Sequence, residues 1–486
     1  MQEKSIKKNA VFNVIKTVMG LIFPLITFPY ASRILMPDGI GKVNFANSVV
    51  SYFGIIASLG IGTYGIREGA KRRNNKEEFS QFFAELFTIN FISTLAAYLL
   101  LILAVAFVPK LNEYRLLVFV CSTSIMFTTV GVDWVYCSLE EYGYRTVRSI
   151  IFQFISLIAL FIFVRTKEDF LQYAIIGVFS GVGSNICNLF PLRKYISLKK
   201  LKKLKLRQHL KPVFVFFGSS IAISVFTMLD TVMLGFLSTE TEVGFYSAAT
   251  KIVYMIRNLF PALFTVMFPK MSILVENSRT DELKELIQKT VCLIMCLSFP
   301  MISGLYILAE PIIMLISGVS YMPAVPSMYA MIPLLLLSSV SGFLGGNVLN
   351  SMGKEKIYLY CVTVGAATDF VLNLILIPDF GSLGASLATL GTEAVLFAIY
   401  VTLNRKFIFS RRLLKSFFKY ILSTLVMTVV CLAVVYVFEN PFMKLALTTI
   451  AGIIVYYIML LALKDDIMKS FMQILKNKIF KRKKEN

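Results

Sequence analysis

Apolar runs of about twenty residues recur from one end of this 486-residue chain to the other. Each is long enough to cross ~30 Å of hydrocarbon at ~1.5 Å per residue. In that solvent every backbone N–H and C=O must find its partner inside the protein, so only helices or closed barrels can span it. Barrel strands would read as ~10-residue segments of alternating polarity, and the sequence does not read that way. The composition agrees with helices: 57% of residues are hydrophobic, 16% are charged and the mean hydropathy is +0.74. The fold class expected is an all-α polytopic membrane protein. Fourteen spans are read, near 9–34, 42–66, 80–108, 114–138, 145–165, 168–191, 212–237, 243–269, 285–308, 323–350, 357–378, 382–404, 414–438 and 441–463. The first run is too long for the core of a cleavable signal peptide and lacks a small-residue cleavage site.

Lysine and arginine set the expected orientation. The segments 1–8, 67–80, 139–148, 193–211, 270–289, 354–356, 405–419 and 464–486 hold 39 of the 49 basic residues. The alternate loops hold seven. Both termini are therefore expected in the cytoplasm. The net charge of +21 then reflects this bias and attraction to anionic inner-leaflet lipid; it calls for no nucleic acid.

The longest polar connection is 193–211, "RKYISLKKLKKLKLRQHLK". Its Leu198, Leu201 and Leu204 recur among lysines, which suits a helix lying on the inner leaflet. The tail 464–486 has a similar stripe at Ile467, Phe471 and Leu475. The linker divides the chain after six spans. "IGKVNFANSVVS" (40–51) and "VGFYSAATKIVY" (243–254) each open the second span of a half, and Gly41/Gly244, Ala46/Ala249 and Val50/Val253 match at an offset of 203. Two parallel repeats are expected about an axis along the membrane normal. The organisation read is a six-helix bundle at 1–192, the linker 193–211, a second pseudo-symmetric six-helix bundle at 212–404 facing the first across a central cavity, two further helices at 405–463 and the tail 464–486.

An ionisable side chain at mid-bilayer costs ~2.5–3.5 kcal/mol, so each one needs a partner or a watery cavity. Asp230 and Lys251 lie at matched depth on consecutive spans and could pair. Arg257 lies deeper, with no acid at its level on the preceding span. It is read either as an ion pair with Glu393 or Asp369, or as a cavity cation whose planar fork suits phosphate oxygens. Lys16 has comparable readings: a cavity cation, a partner of Asp133, or a side chain reaching back to the inner surface. Arg33 and Lys42 flank the first outward turn as rim charges, and Glu85 is placed facing cytoplasmic water. Pro24, Pro29, Pro261 and Pro269 interrupt spans one and eight and offer bending points. The seven cysteines lack metal-ligand spacing and the sole histidine, His209, lies in the linker, so no metal or cofactor is expected. Short loops leave no room for a catalytic domain, and no nucleotide-binding loop is found. An enzyme is not expected.

Five stretches, "PLITFPYASRIL", "GIGKVNFANSVVSYFGIIASLGIGTYGIREGAKRR", "DWVYCSLEEYGYRTVRSI", "VGFYSAATKI" and "LNSMGKEKIYLY", resemble the polysaccharide repeat-unit flippases. These are the O-antigen, capsule and teichoic-acid type translocases of the multidrug/oligosaccharidyl-lipid/polysaccharide exporter superfamily. The chain departs where Met36 precedes Pro37 in place of the usual glycine, and where Ser138 replaces a frequent glycine. The resemblance implies alternating access in the bacterial cytoplasmic membrane. The substrate implied is undecaprenyl-pyrophosphate-linked oligosaccharide, with a polysaccharide polymerase as a protein partner. Arg257, Lys251, Lys16 and Arg33 would be the cavity cations. Asp133, Asp230, Asp369 and Glu393 would be structural partners or couple H⁺ or Na⁺. A drug/cation antiporter of the same superfamily would need an acid-dominated cavity instead. A scaffold for a synthesis complex would leave the buried cations unexplained.

Overall fold

In the computed structural model, residues 6–197, 201–465 and 467–469 are described, and no strand occurs among them. The chain divides into two compact units, Met1–Ser247 and Ala248–Asn486. The first contains α1 (Ile6–Ser58), α2 (Ile61–Arg72), α3 (Lys76–Phe107), α4 (Arg115–Gly131), α5 (Asp133–Ser138), α6 (Tyr142–Phe163), α7 (Phe170–Gly181), α8 (Leu189–Tyr195) and α9 (Arg207–Leu237). α10 (Glu240–Arg257) begins in it. The second unit continues with α11 (Leu259–Glu276), α12 (Thr280–Ile316), α13 (Val325–Met331), α14 (Leu334–Ser341), α15 (Glu355–Leu403), α16 (Arg411–Val437) and α17 (Pro441–Ala462). A π-helical stretch, Gly342–Leu349, follows α14.

Among the described residues, seven helices are long and apolar enough to cross a membrane, or nine if two bent pairs each count as one span. Helix covers all fourteen stretches read from the sequence, but length and hydropathy do not resolve them into fourteen separate spans. Two helices explain part of the gap, because each carries two of the stretches. α15 has 49 residues, ~70 Å if straight, and it folds back at Gly381. There φ is 53° and ψ −127°, a conformation essentially confined to glycine. Past the fold, a Cβ on Gly384 would lie 2.2 Å from the Leu376 carbonyl oxygen. α1 breaks at Met36 in the same way. Its first half runs beside α6, from Thr146, which donates to the Phe12 carbonyl, to Tyr30, which donates to the Val164 carbonyl.

The faces of the helices invert the pattern of a water-soluble protein. On α3 the buried side carries Asn90, Ser93, Thr94 and Ala97, while Phe91, Leu95, Leu99 and Ile102 are exposed. Small and polar residues let helix backbones approach, and large apolar ones face lipid. Asn90 and Ser93 both donate to the Ala57 carbonyl of α1, and Thr94 bonds Thr129 of α4.

Turns assigned to one side by their charge lie together. Lys110 donates to the Ser238 carbonyl, Phe45 meets Tyr114 edge-on and Gly39 sits near the Lys167 carbonyl. At the other end Arg73 pairs with Glu140, Lys76 donates to the Lys194 carbonyl and Tyr195 donates to Glu141. An aromatic core with Phe82, Phe83 and the sole tryptophan, Trp134, fills this end.

The linker departs from expectation. Residues 201–205 form no helix; 198–200 lie outside the described residues. Backbone amides there bond side chains: Lys202 N–H donates to Gln81 and Lys205 N–H to Glu85. Glu85 does not face water. It is 3% exposed and also accepts from Gln81 and Gln208, with His209 Nε2 at 2.8 Å. The opposite nitrogen, Nδ1, meets the Tyr64 hydroxyl at 2.9 Å. The following helix, α9, packs with the first unit, Phe45 lying over Gly235. Most of the tail's apolar stripe lies outside the described residues.

Candidate functional site

Two buried polar groups stand out, one in each unit. In the first, α4 ends at Val132, whose left-handed φ of 40° separates α4 from α5 and starts α5 at Asp133. Asp133 accepts from Arg145 Nε at 3.0 and 3.1 Å and pairs with Arg145 Nη2. It also accepts from Arg148 Nη2 at 3.1 Å. The same Nη2 reaches Asn185 Oδ1 at 2.9 Å, Nη1 donates to Asn188 Oδ1, and Asn188 in turn donates to the Gly131 carbonyl at 2.6 Å. Lys16 is half-buried and lies within the field of Asp133, Arg145 and Arg148. Three cations therefore surround one carboxylate. Sequence reading counted Arg145 and Arg148 as loop charges. The signal lay in "DWVYCSLEEYGYRTVRSI", where a turn returns the chain so that residues twelve and fifteen positions on lie opposite Asp133.

In the second unit α10 ends at Arg257. Pro261 lacks the N–H that would bond the Arg257 carbonyl, and its ring crowds that carbonyl; the helix breaks at Asn258 and resumes as α11. Arg257 is half-buried. Nη1 donates to the Ser338 hydroxyl of α14 at 3.1 Å, and the guanidinium carbon stands 4.5 Å from the centre of the Tyr254 ring. Glu393, 5% exposed, bonds the same Ser338 hydroxyl and feels the Arg257 charge. The arginine and the carboxylate are thus bridged through a neutral hydroxyl. Asp369, on the other arm of α15, is 2% exposed and accepts from Thr392 at 3.3 Å.

Three sequence candidates remain. Asp230 is buried on α9 and accepts from the Tyr246 hydroxyl at 2.5 Å. Lys251 is half-buried on α10. Arg33 is exposed on α1, its Nη1 3.5 Å from the Pro29 carbonyl. Among the described residues no group of three or more His, Cys, Asp or Glu could hold a metal.

The second unit also holds a groove of ≈ 550 Å³ between α12, α16 and α17, lined almost wholly by apolar side chains, among them Leu297, Met301, Leu305, Met427 and Ile453. Sequence reading did not find it, because single-helix patterns do not show where three helices splay apart.

Comparison with known proteins places this arrangement. A candidate O-antigen transporter of Escherichia coli (strain K12) is 23% identical over 411 residues, which cover 82% of this chain and 97% of that protein. The lipid II flippase MurJ in an inward closed conformation superposes with a TM-score of 0.74 at 17% identity, over 94% of this chain and 99% of that one. An inward-facing multidrug resistance MATE family transporter of the MOP superfamily gives 0.63 at 13% identity, over 82% and 97%. Both structural likenesses are likenesses of fold. The family described as "Polysaccharide biosynthesis protein" matches residues 6–275, more than half of the chain. The chain is thus an integral membrane protein that belongs to the polysaccharide biosynthesis protein family.

Proposed function

We propose that this protein flips undecaprenyl-pyrophosphate-linked oligosaccharide repeat units from the inner to the outer leaflet of the bacterial cytoplasmic membrane, by alternating access, for surface polysaccharide synthesis. Membership of the family supports the polysaccharide part. The names of the O-antigen transporter and the lipid II flippase support a lipid-linked substrate. The observation that carries the reading is the state of Arg257. It is a cation among apolar helices, held by a hydroxyl and a ring face and bridged to Glu393 without a direct ion pair. Such a fork can take phosphate oxygens in bidentate fashion. The apolar groove offers a place for an isoprenoid chain, whose burial stabilises by ~0.8 kcal/mol per CH₂. Lys16, Lys251 and Arg33 are the further cations in this reading.

Outward movement of an anion is favoured by an interior-negative potential, by ~2.3 kcal/mol per charge per 100 mV. If H⁺ or Na⁺ moves inward in exchange, Asp369 and Glu393 are better placed to carry it than Asp133, which two arginines already hold.

A deletion strain tests the function. Lipid-linked repeat units should accumulate on the inner leaflet, and surface polymer should return with the intact gene. Repeat units that still reach the outer leaflet at the normal rate would refute the proposal.

A further inference from the structure

The two segments related by the offset of 203 touch at their first turns. A Cβ on Gly41 would lie 1.7 Å from the Glu240 carbonyl oxygen and 3.0 Å from the Gly244 nitrogen. A Cβ on Gly244 would lie 2.1 Å from the Pro37 carbonyl oxygen. The same offset carries Gly41 onto Gly244 and Pro37 onto Glu240. Each glycine therefore rests on the backbone four residues ahead of its counterpart. The contact is reciprocal, as across a two-fold axis. One turn further along, the Phe45 ring covers Gly235, where a Cβ would come within 2.0 Å of it, and meets Phe236 edge-on at 5.2 Å.

Charge breaks the symmetry. Lys110 Nζ lies 3.1 Å from Glu240 Oε1 and donates to the Ser238 carbonyl at 3.2 Å. It also stands 5.7 Å from the centre of the Phe45 ring. The position matching Glu240 is Pro37, which has no charge to offer, and the neighbouring Asp38 pairs along its own helix with Lys42 at 2.6 Å. Burial works against ionisation of Glu240. Its own amide, Lys110 and the Tyr114 hydroxyl outweigh that and hold the carboxyl below the usual range, so Glu240 is ionised at neutral pH.

We propose that this glycine seam is a gate, shut here, that must part for cargo to leave at this end, and that Lys110–Glu240 is its lock. The inference rests on the transport reading above. Backbone packed on backbone leaves no room for a side chain, and so none for a ligand. Yet the glycines themselves have no side chains to disengage, so the two flat surfaces can part and meet again. The ion pair is partly exposed, with 24% and 17% of the two side chains accessible, and partly exposed pairs are cheap to break. A seam of this kind has two discrete states rather than a graded opening.

The test uses the full-length protein in intact cells. Ser48 lies two turns from Gly41 on the same helix face, and Ser48→Cys is nearly isosteric. Its labelling by a membrane-impermeant maleimide, measured against the chain without that cysteine, reads the seam. Gly41→Ala or Gly244→Ala should raise the labelling rate by roughly tenfold or more, a shift of about 1.4 kcal/mol toward the open state. Lys110→Gln should raise it a few-fold, and Lys110→Glu with Glu240→Lys should bring it back toward the original rate. Should the glycine variants fail to reach the membrane, Lys110→Gln and the charge swap decide. Unchanged labelling in properly inserted variants would overturn the gate. Labelling needs no substrate: failure of the deletion strain to accumulate lipid-linked repeat units would count against the transport reading and leave this result to stand on its own.

Discussion

Arg148 and Arg257 are the same side chain held in two different ways. Arg148 is 6% exposed, and both of its terminal nitrogens are taken, by Asp133, Asn185 and Asn188. Its charge is matched by a carboxylate that also holds Arg145. Among the described residues Arg257 donates to the Ser338 hydroxyl and faces the Tyr254 ring, and it meets Glu393 through that hydroxyl. A buried cation therefore does not by itself mark a binding site. What matters is whether the terminal nitrogens already have acceptors: at Arg148 both do, and the buried Nε alone is left without one among the described residues. On that criterion Arg148 braces the first unit, and Arg257 is the one proposed to meet cargo.

The comparison breaks most sharply at Arg148. Arg148→Met leaves Asn185 and Asn188 without a donor and half of the Asp133 arrangement unpaired. Removing one partner of a buried pair costs ~3–5 kcal/mol. Membrane abundance should fall several-fold, and surface polymer should fall with it. Adding Asn185→Leu should recover part of the protein, since it removes an acceptor left unsatisfied. Normal abundance of Arg148→Met with export lost would instead make Arg148 a cargo contact and erase the distinction.

Arg257→Ala should give the opposite pattern. The protein should stay in the membrane at near-normal abundance while export drops by ~10–100-fold, the equivalent of the ~1.5–3 kcal/mol of a hydrogen bond to a charged group. Arg257→Lys should recover part of the export, because a point charge keeps the attraction and loses the fork geometry. If Arg257→Ala mainly lowers abundance, and Glu393→Gln restores it, the arginine is a structural partner of Glu393. Normal export by well-expressed Arg257→Ala would end the phosphate-contact reading.

The sequence made one of these two groups readable and hid the other. Arg257 was visible because it stands alone in an apolar run, and Pro261 four residues on marked the break that ends its helix. Glu393 was a named candidate, but Ser338 was not: nothing in an apolar stretch with three serines, Ser338, Ser339 and Ser341, says which one another helix will meet. Arg145 and Arg148 were hidden because they follow a turn and look like loop charges. Only the left-handed break at Val132 and the return of α6 set them against Asp133. Glu85 failed for a related reason. Its position one turn into a span suggested water, but its partners come from the linker about 120 residues away. The linker itself carried a helical stripe of leucines, yet side chains of α3 claimed its amides, and tertiary bonds overrode local pattern. Span existence was legible because hydrocarbon thickness fixes run length. Span count from the structure stays coarser because α1 and α15 each carry two stretches within one helix.

The smallest expected effect is at Ser338, and it tests how loosely Arg257 is held. Its hydroxyl accepts from Arg257 and bonds Glu393, so it keeps the two charges apart while linking them. Ser338→Ala removes one neutral group, a change of ~0.5–1.5 kcal/mol. If the hydroxyl only steadies a fork that cargo then takes over, export should fall by a few-fold at most and abundance should not change. If it is a spacer, its loss lets Arg257 collapse onto Glu393 as a direct pair, and a filled fork can no longer serve phosphate. Export would then fall as far as in Arg257→Ala, and adding Glu393→Gln would restore it by freeing the arginine again. Measuring export in Ser338→Ala with and without Glu393→Gln separates these outcomes. The modest loss is the one expected, because cargo oxygens offer Arg257 what Ser338 supplies in their absence.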